Sequence, residues 1–359
     1  MKRIKHIKFI TAVAAVSISA VLTLYSFSEH VRTREGTFIR IFPPHPVLHN
    51  ASLRIDVEKP YIAGHTDRSL YIGNEVSPID LLQIDKEKLM TERSVRVSIS
   101  AATTLKHFNA HVLVDSSSFY FFDGAIPYLL KGNTDQWLAM RQSTKDIFFQ
   151  DVVPLGDSTY AVKSFNTRRR ENVLAIYNPK TKTVKQHPDL LQRQVDGIFC
   201  TDGTLHFAKD TKKVIYLYFY RNEYIVADKD LNLLYRGQTI DTVSKANVKT
   251  VTRITGTNTT TSQLAVPPPT VNKHSTVYKH LLLVHSNLMG RNELPELFDE
   301  ASVIDVYNFL QQKYLFSFYV PDREGKKIRD LKIAGDKLYA LYDNRLDAYK
   351  LNDIYFTPL

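Results

Sequence analysis

Residues 211–237, TKKVIYLYFYRNEYIVADKDLNLLYRG, hold two apolar runs with almost nothing between them. Val214, Tyr216 and Tyr218 alternate on the way out, and Tyr224 and Val226 on the way back. Period-two alternation places every second side chain on one face, so each run reads as a half-buried strand. Tyr220-Arg221-Asn222 is the turn between them, and Asp228 to Asn232 is a second turn leading to an outer strand.

The same unit recurs along the chain. It appears in SLYIGNEVSPIDLLQIDKEKL near the start and more weakly in SSFYFFDGAIPYLLKG near residue 131. It returns in NVLAIYNPKTKTV, in ASVIDVYNFLQQKYLFSFYV and in KLYALYDNRLDAYKL. Anchored on Asp85, the weaker unit near residue 131, Tyr177, Asp228, Tyr307 and Tyr349, the units follow one another every 40 to 50 residues or so, apart from one step of about 79. Several strands per unit at this period are the mark of a β-propeller. The long step contains TGTNTTTSQLAVPPPTVNKHST, read as an insertion inside one blade, with a seventh blade as the alternative. Two short stretches also fit helices. The repeat favours strand for residues 77–95, whereas LPELFDEA, 294–301, is expected to form a short helix.

YIAGHTDRSLYIGN, VIYLYFYRNEYIV, RGQTIDT and KLYALYDNRLDAYKL together resemble the six-bladed β-propellers of the TolB-like and NHL-like superfamily. Across residues 36–352 the chain is similar to membrane-anchored propellers of the bacterial envelope. The resemblance implies an all-β, six-bladed propeller but carries no chemistry. The last unit, Ile328 to Leu351, has room for three strands only, and GTFIRIF, 36–42, is expected to supply its outer strand and close the open edge.

Twenty Tyr, nineteen Phe and four Met suit pleated sheets better than helix bundles. Thirteen Gly count against a fold dense in turns. The start, MKRIKHIK, carries Lys2, Arg3, Lys5 and Lys8 ahead of an uncharged run from Phe9 to Phe27. Nineteen helical residues span about 28 Å, close to one hydrocarbon core. The cations would stay on the cytoplasmic side and the rest of the chain would be exported. The alternative is a cleaved signal segment, which would export the domain as well. The expected layout is a basic tail at 1–8, an anchor or signal at 9–28, a linker with the closing strand at 29–47, the propeller at 48–353 and a tail at 354–359. The expected location is the bacterial inner membrane, single-pass, with the domain in the periplasm.

Net charge is +10, and the four leading cations leave +6 scattered over the remainder. A nucleic-acid surface would concentrate its charge in one stripe, so no nucleic-acid partner is expected. The lone cysteine, Cys200, sits in the strand-like run GIFCTDGTLHF and reads as buried core. His107 and His111 lie on strand spacing, too far apart to share a metal, and His274, His280 and His285 lack further ligands at metal spacing. Asp241 reads as a turn residue capped by Thr239 and Thr242. No nucleophile elbow, phosphate loop or metal cluster is present in the sequence, so no catalytic residue and no cofactor is assigned.

In a propeller the loops between second and third strands share one face. Here they gather Asn74, Arg170, Asn172, Arg221, Asn222, Asn292 and Arg345. Arginine offers a planar fork to carboxylate or phosphate. Asparagine offers a paired donor and acceptor. The expectation is a face that grips a polar or anionic ligand or an acidic envelope partner. The competing reading is that these are ordinary turn residues. The function expected is an anchored binding or scaffold module for an envelope protein, peptide or glycan. The alternatives are a propeller hydrolase or lyase with an axial site, and an auxiliary subunit of a periplasmic redox enzyme.

Overall fold

The computed structural model of the chain describes residues 2–26, 36–100, 109–124, 126–142, 148–156, 158–255 and 259–357. An N-terminal helix, α1 (Lys2–Ser26), is followed by strand β1 (Val47–Arg54). The first unit is β2 (Pro60–His65), β3 (Ser69–Asn74), β4 (Asp80–Asp85) and β5 (Met90–Arg96). After a two-residue strand, β6 (Ser98–Ile99), the second unit is β7 (Ala110–Asp115), β8 (Ser118–Asp123), β9 (Leu129–Asn133) and β10 (Leu138–Arg141). The third is β11 (Phe149–Gly156), β12 (Thr159–Asn166), β13 (Glu171–Asn178) and β14 (Thr183–His187). The fourth is β15 (Gly203–Ala208), β16 (Lys213–Tyr218), β17 (Glu223–Ala227) and β18 (Leu233–Gln238). A hairpin, β19 (Thr250–Thr255) and β20 (Thr259–Leu264), comes next. Then follow β21 (Asn272–Tyr278), β22 (Leu281–Ser286), α2 (Pro295–Glu300), β23 (Ala301–Asn308) and β24 (Lys313–Pro321). The chain closes with β25 (Asp330–Ala334), β26 (Lys337–Leu341), β27 (Arg345–Leu351) and α3 (Asp353–Phe356).

Each unit is an antiparallel meander, and each sheet resembles a propeller blade. The first two units join edge to edge because β2 runs parallel to β7, with His65 opposite Asp115. Gly64 makes this close approach feasible. Its φ is 135°, and a Cβ there would lie 1.9 Å from the Val114 carbonyl oxygen. The first strands of the units are neighbours: β2 lies beside β7 and β25, β11 beside β15, and β21 beside β15 and β25. Apolar clusters fill the space between consecutive sheets. Tyr120 and Phe122 of one sheet pack on Phe149, Tyr160 and Tyr177 of the next, with Tyr120 edge-on to Tyr160 at 5.6 Å. Aromatic residues thus serve as inter-sheet filler, which is how the aromatic bias of the sequence is spent.

The sequence anchors occupy equivalent places. Asp85, Tyr177, Asp228, Tyr307 and Tyr349 all sit at or near the end of a third strand. The turn after that strand is built by one Asp or Asn whose side-chain oxygen accepts the next backbone N–H groups. Asp85 holds Glu87 and Lys88, Asn178 holds Lys180 and Thr181, Asp228 holds Asp230 and Asn232, and Asn308 holds Leu310 and Gln311. Asn133 does the same for Asp135. Each turn then passes through a left-handed residue that is not glycine: Leu89, Trp137, Lys182, Leu231 and Gln312, with φ between 46° and 60°. Scarce glycine therefore does not oppose a turn-rich fold in this chain. The side-chain hydrogen bonds hold the turns in a conformation that glycine usually supplies.

Four details depart from the sequence reading. The closing strand is β1, Val47–Arg54, paired with β27 from Val47 opposite Leu351 to Arg54 opposite Arg345. Residues 36–42 instead run along the outer edge of β24, where the Ile41 carbonyl accepts the Ser317 N–H at 2.7 Å. The alternation of GTFIRIF is real, since Phe38 and Arg40 are buried and Ile39 and Ile41 exposed, but its partner is a neighbouring sheet. The Thr-rich insertion forms the hairpin β19–β20 between two sheets, after β18 and before β21, and not inside one. Cys200 is buried but lies in the turn ahead of β15 and not in a strand. Residues 77–95 do contribute strands β4 and β5, and α2 falls where a short helix was expected.

Among the described residues no helix is long and apolar enough to cross a membrane. The apolar run of the sequence extends to Phe27, which lies outside them, as does His107.

Candidate functional site

The polar residues expected to form a gripping face are mostly committed to their own chain. Asn74 accepts the N–H groups of Val76 and Ser77 and shapes its turn. Asn166 does the same for Arg168 and Arg169, which places Arg170 in the left-handed position at φ 53°. Asn172 is buried and donates to the Ile198 carbonyl at 2.7 Å. Arg221 is wholly buried, 3.6 Å above the Tyr218 ring, beside Glu223 at 3.1 Å and donating to the Gln192 carbonyl at 2.9 Å. Asn222 donates to the Asp241 carbonyl at 2.6 Å. Asn292 clasps Arg40 by both backbone groups, at 3.1 and 3.0 Å. Arg345 reaches Asp347 at 2.7 Å and the Ser52 hydroxyl at 2.6 Å, which ties β27 to the closing strand. Asp241 is a turn residue, accepting from the Thr239 hydroxyl and the Val243 N–H. All seven are thus engaged with other groups, Arg170 from an exposed position at its turn.

Chemistry that sequence reading did not assemble lies on the first strands. Asp330 of β25, His65 of β2, Asp115 of β7, Asp151 of β11 and His206 of β15 all come within electrostatic reach of Lys332 of β25. His274 of β21 joins them through Asp330. These strands are spread from residue 60 to residue 334 and meet only because each opens a unit. All seven side chains are half-buried.

Several members are pinned across unit boundaries. Asp330 accepts the N–H of Ile62 on β2 at 2.8 Å, and Asp151 accepts the N–H of Leu205 on β15 at 3.2 Å. The His206 ring nitrogen Nε2 meets the Ser275 hydroxyl of β21 at 2.7 Å. Asp115 pairs with Lys209, from the turn after β15. The same carboxylates therefore lace neighbouring sheets together.

Lys332 is the exception, because its ammonium donates no hydrogen bond to any described residue. Burial pulls its pKa below the ordinary lysine value, opposed by the fields of Asp330, Asp115 and Asp151. Burial, with Lys332 adding to it, lowers His206 to about 3. Burial and the nearby Lys332 and Lys86 lower His65 to about 4. Burial raises the carboxyl groups of Asp151 and Asp330, against the attraction of Lys163 and His274 respectively. At neutral pH the histidines are uncharged and can both donate and accept, while Lys332 holds three donors that its surroundings do not use. No metal-binding group of three or more His, Cys, Asp or Glu occurs among the described residues.

A second feature lies at the rim. A cleft of about 480 Å³ is lined by Phe42, Pro43, Pro46, Leu294, Leu297 and Tyr319, among others. Phe42 stacks on Tyr319 at 4.8 Å. Beneath it Arg40 is buried between Asp305, at 2.7 Å, and Glu293.

No family model matches the sequence, and no curated relative matches it. Similarity is found among solved structures. A member of the DUF4221 family from Bacteroides vulgatus aligns at TM-score 0.53 and 12% identity, over 85% of this chain and 97% of that one. BamB from Moraxella catarrhalis aligns at 0.42 and 9% identity, over 85% and 100%. A chain of the mitotic checkpoint complex aligns at 0.48 and 10%, over 87% and 96%. Of these three the first exceeds 0.5, and at 12% identity it speaks to the fold alone. The chain is structurally similar to β-propeller proteins, and sequence places it in no specific family.

Proposed function

We propose that the chain is an exported, membrane-anchored binding module on a six-bladed β-propeller, and that it takes a small polar ligand at the axial cluster. The six-bladed reading is supported by four-stranded units whose first strands neighbour one another, the last completed by β1. Anchoring is supported by the basic start and by α1, whose Ile10, Val13, Val16, Ile18, Val21 and Leu24 are exposed on every side. A helix apolar all round calls for an apolar surrounding. The basic flank is the support for a propeller on the periplasmic side of an inner membrane.

One observation carries the ligand reading: the Lys332 ammonium, surrounded by groups from five first strands, keeps its donors unspent. A half-buried ammonium with no hydrogen-bond partner among the described residues offers its donors to any acceptor that reaches it. A ligand with a carboxylate, phosphate or carbonyl oxygen would supply that acceptor, and neutral His65 and His206 would complete the recognition.

The test is a thermal-shift screen of detergent-solubilised full-length protein with phosphate, citrate and maltotriose. The reading expects at least one probe to raise the Tm of the wild type and to leave Lys332→Met unmoved. Equal shifts in both proteins would place binding elsewhere, and no shift with any probe would count against an axial polar ligand. The same amine favours a second reading, a propeller lyase. A lysine whose pKa is depressed by burial is the form that attacks a carbonyl carbon. Borohydride with pyruvate would then leave a stable added mass on Lys332, and an unmodified Lys332 would exclude it.

A further inference from the structure

The strap from Thr37 to Phe42 presents an apolar face that nothing in the described chain covers. Its backbone is fixed: Phe38 accepts from the Arg291 N–H at 2.8 Å, Ile41 from Ser317 at 2.7 Å, and the Ile41 N–H reaches the Tyr314 hydroxyl at 3.0 Å. The alternation that buries Phe38 and Arg40 turns Ile39 and Ile41 outward, 63% and 59% exposed. Beside them the cleft carries Leu294, 67% exposed, with Leu297 and Phe42. Isoleucine, leucine, phenylalanine and proline thus share one rim, and grouped exposed apolar residues mark an interaction surface.

The chain's own connectivity says what lies opposite. The strap begins at Gly36, ten residues beyond the end of α1 at Ser26. Ten residues reach at most about 35 Å, so this rim is the part of the propeller tethered closest to the helix. Resting on the anchoring proposed above, we propose that the strap rim, with Ile39, Ile41, Phe42, Leu294 and Leu297, seats against the lipid bilayer. An apolar face enters the boundary between headgroups and acyl chains, where phenylalanine and leucine gain most. The strap edges one sheet and leads into the closing strand of the next, so the contact is made by the outer edge of the ring. The propeller then stands edge-on to the membrane. Both ends of the axial cluster stay open to solutes in the aqueous phase.

The experiment uses the full chain in vesicles of phosphatidylethanolamine and phosphatidylglycerol. An environment-sensitive dye is attached in turn at Leu22→Cys in α1, Leu294→Cys on the rim and Asp210→Cys on an exposed turn elsewhere. Quenching by lipids brominated along the acyl chain is then read for each. The proposal expects quenching at residues 22 and 294 and none at 210. In the Leu294→Cys protein, adding Ile39→Asn and Ile41→Asn should lower the quenching severalfold. Quenching at 22 alone would overturn the rim contact and leave the anchor standing. Absence of quenching at both 22 and 294 would overturn the anchor and, with it, this proposal. Equal quenching at 210 and 294 would overturn the edge-on orientation.

Discussion

At the scale of single residues, the turn positions explain more than the polar loop residues do. Leu89, Trp137, Lys182, Leu231 and Gln312 all sit at positive φ, where a side chain costs roughly 1–2 kcal/mol against glycine in the same place. Lys182 and Gln312 are exposed, so glycine removes no packing there. Lys182→Gly and Gln312→Gly should each stabilise the fold by about 0.5–1 kcal/mol after glycine's own entropic cost. Urea denaturation of each variant checks this, and a loss of stability would mean that the αL positions are not strained. Asp85, Asn178, Asp228 and Asn308 were visible in the sequence as polar punctuation. Their work, capping the next two or three N–H groups, belongs to every hairpin of this kind and carries no functional meaning. Asn74, Asn172 and Asn222 were legible as polar residues at turns, and in the fold each binds backbone of its own chain. An asparagine that binds backbone and one that binds a ligand look alike in one dimension.

At the scale of elements, alternation located most strands but did not choose their partners. GTFIRIF and VLHNASLR are both extended segments near the N-terminus, and either can cover a sheet edge. The choice was made by Arg40, whose buried guanidinium fits the pocket between Asp305 and Glu293 and so binds the first segment to β23. A single charge partner some 265 residues away in sequence has no local signal. Arg40→Met should cost about 3–5 kcal/mol, because it strands two buried carboxylates without their cation. Adding Asp305→Asn and Glu293→Gln to Arg40→Met should recover part of that loss. If the triple variant is no more stable than Arg40→Met, the strap is held by its apolar contacts and not by the ion cluster. The hairpin β19–β20 was misplaced for a related reason, since a Thr-rich pair of strands between two sheets and one inside a sheet read identically along the chain.

At the scale of the whole molecule, the repeat was the legible part, and the axial cluster was not. His65, Asp115, Asp151, His206, His274, Asp330 and Lys332 share no motif. Each lies on a strand that opens a unit, and only the adjacency of those first strands brings them together. That geometry also sets a pH dependence. His65 and His206 are held near 4 and 3 when folded, and burial also lowers His274 and His285, while an unfolded histidine titrates near 6.5. The unfolded chain therefore binds protons first, and stability that is complete above about pH 6.5 falls as the pH drops toward 3. The slope is at most about 1.4 kcal/mol per pH unit for each proton taken up. The raised carboxyls of Asp151 and Asp330 act in the opposite sense, taking up protons in the folded chain first, and offset part of the loss. Denaturation midpoints at pH 7.5, 6 and 5 should fall in that order. In a His65→Gln, His206→Gln variant the fall should be shallower, and an unchanged slope would assign the effect to other groups.

The measurement that bears most directly on the axial site is competitive acetylation of the folded, full-length protein, with each lysine quantified by mass spectrometry across pH 6 to 10. Lys332 should react with a midpoint below that of the exposed lysines of the same chain, and a probe that raises the Tm should protect it. If Lys332 follows the exposed lysines in pH profile, or is sealed from the reagent until the protein unfolds, it is not the open, electrically shielded donor on which the proposed function depends.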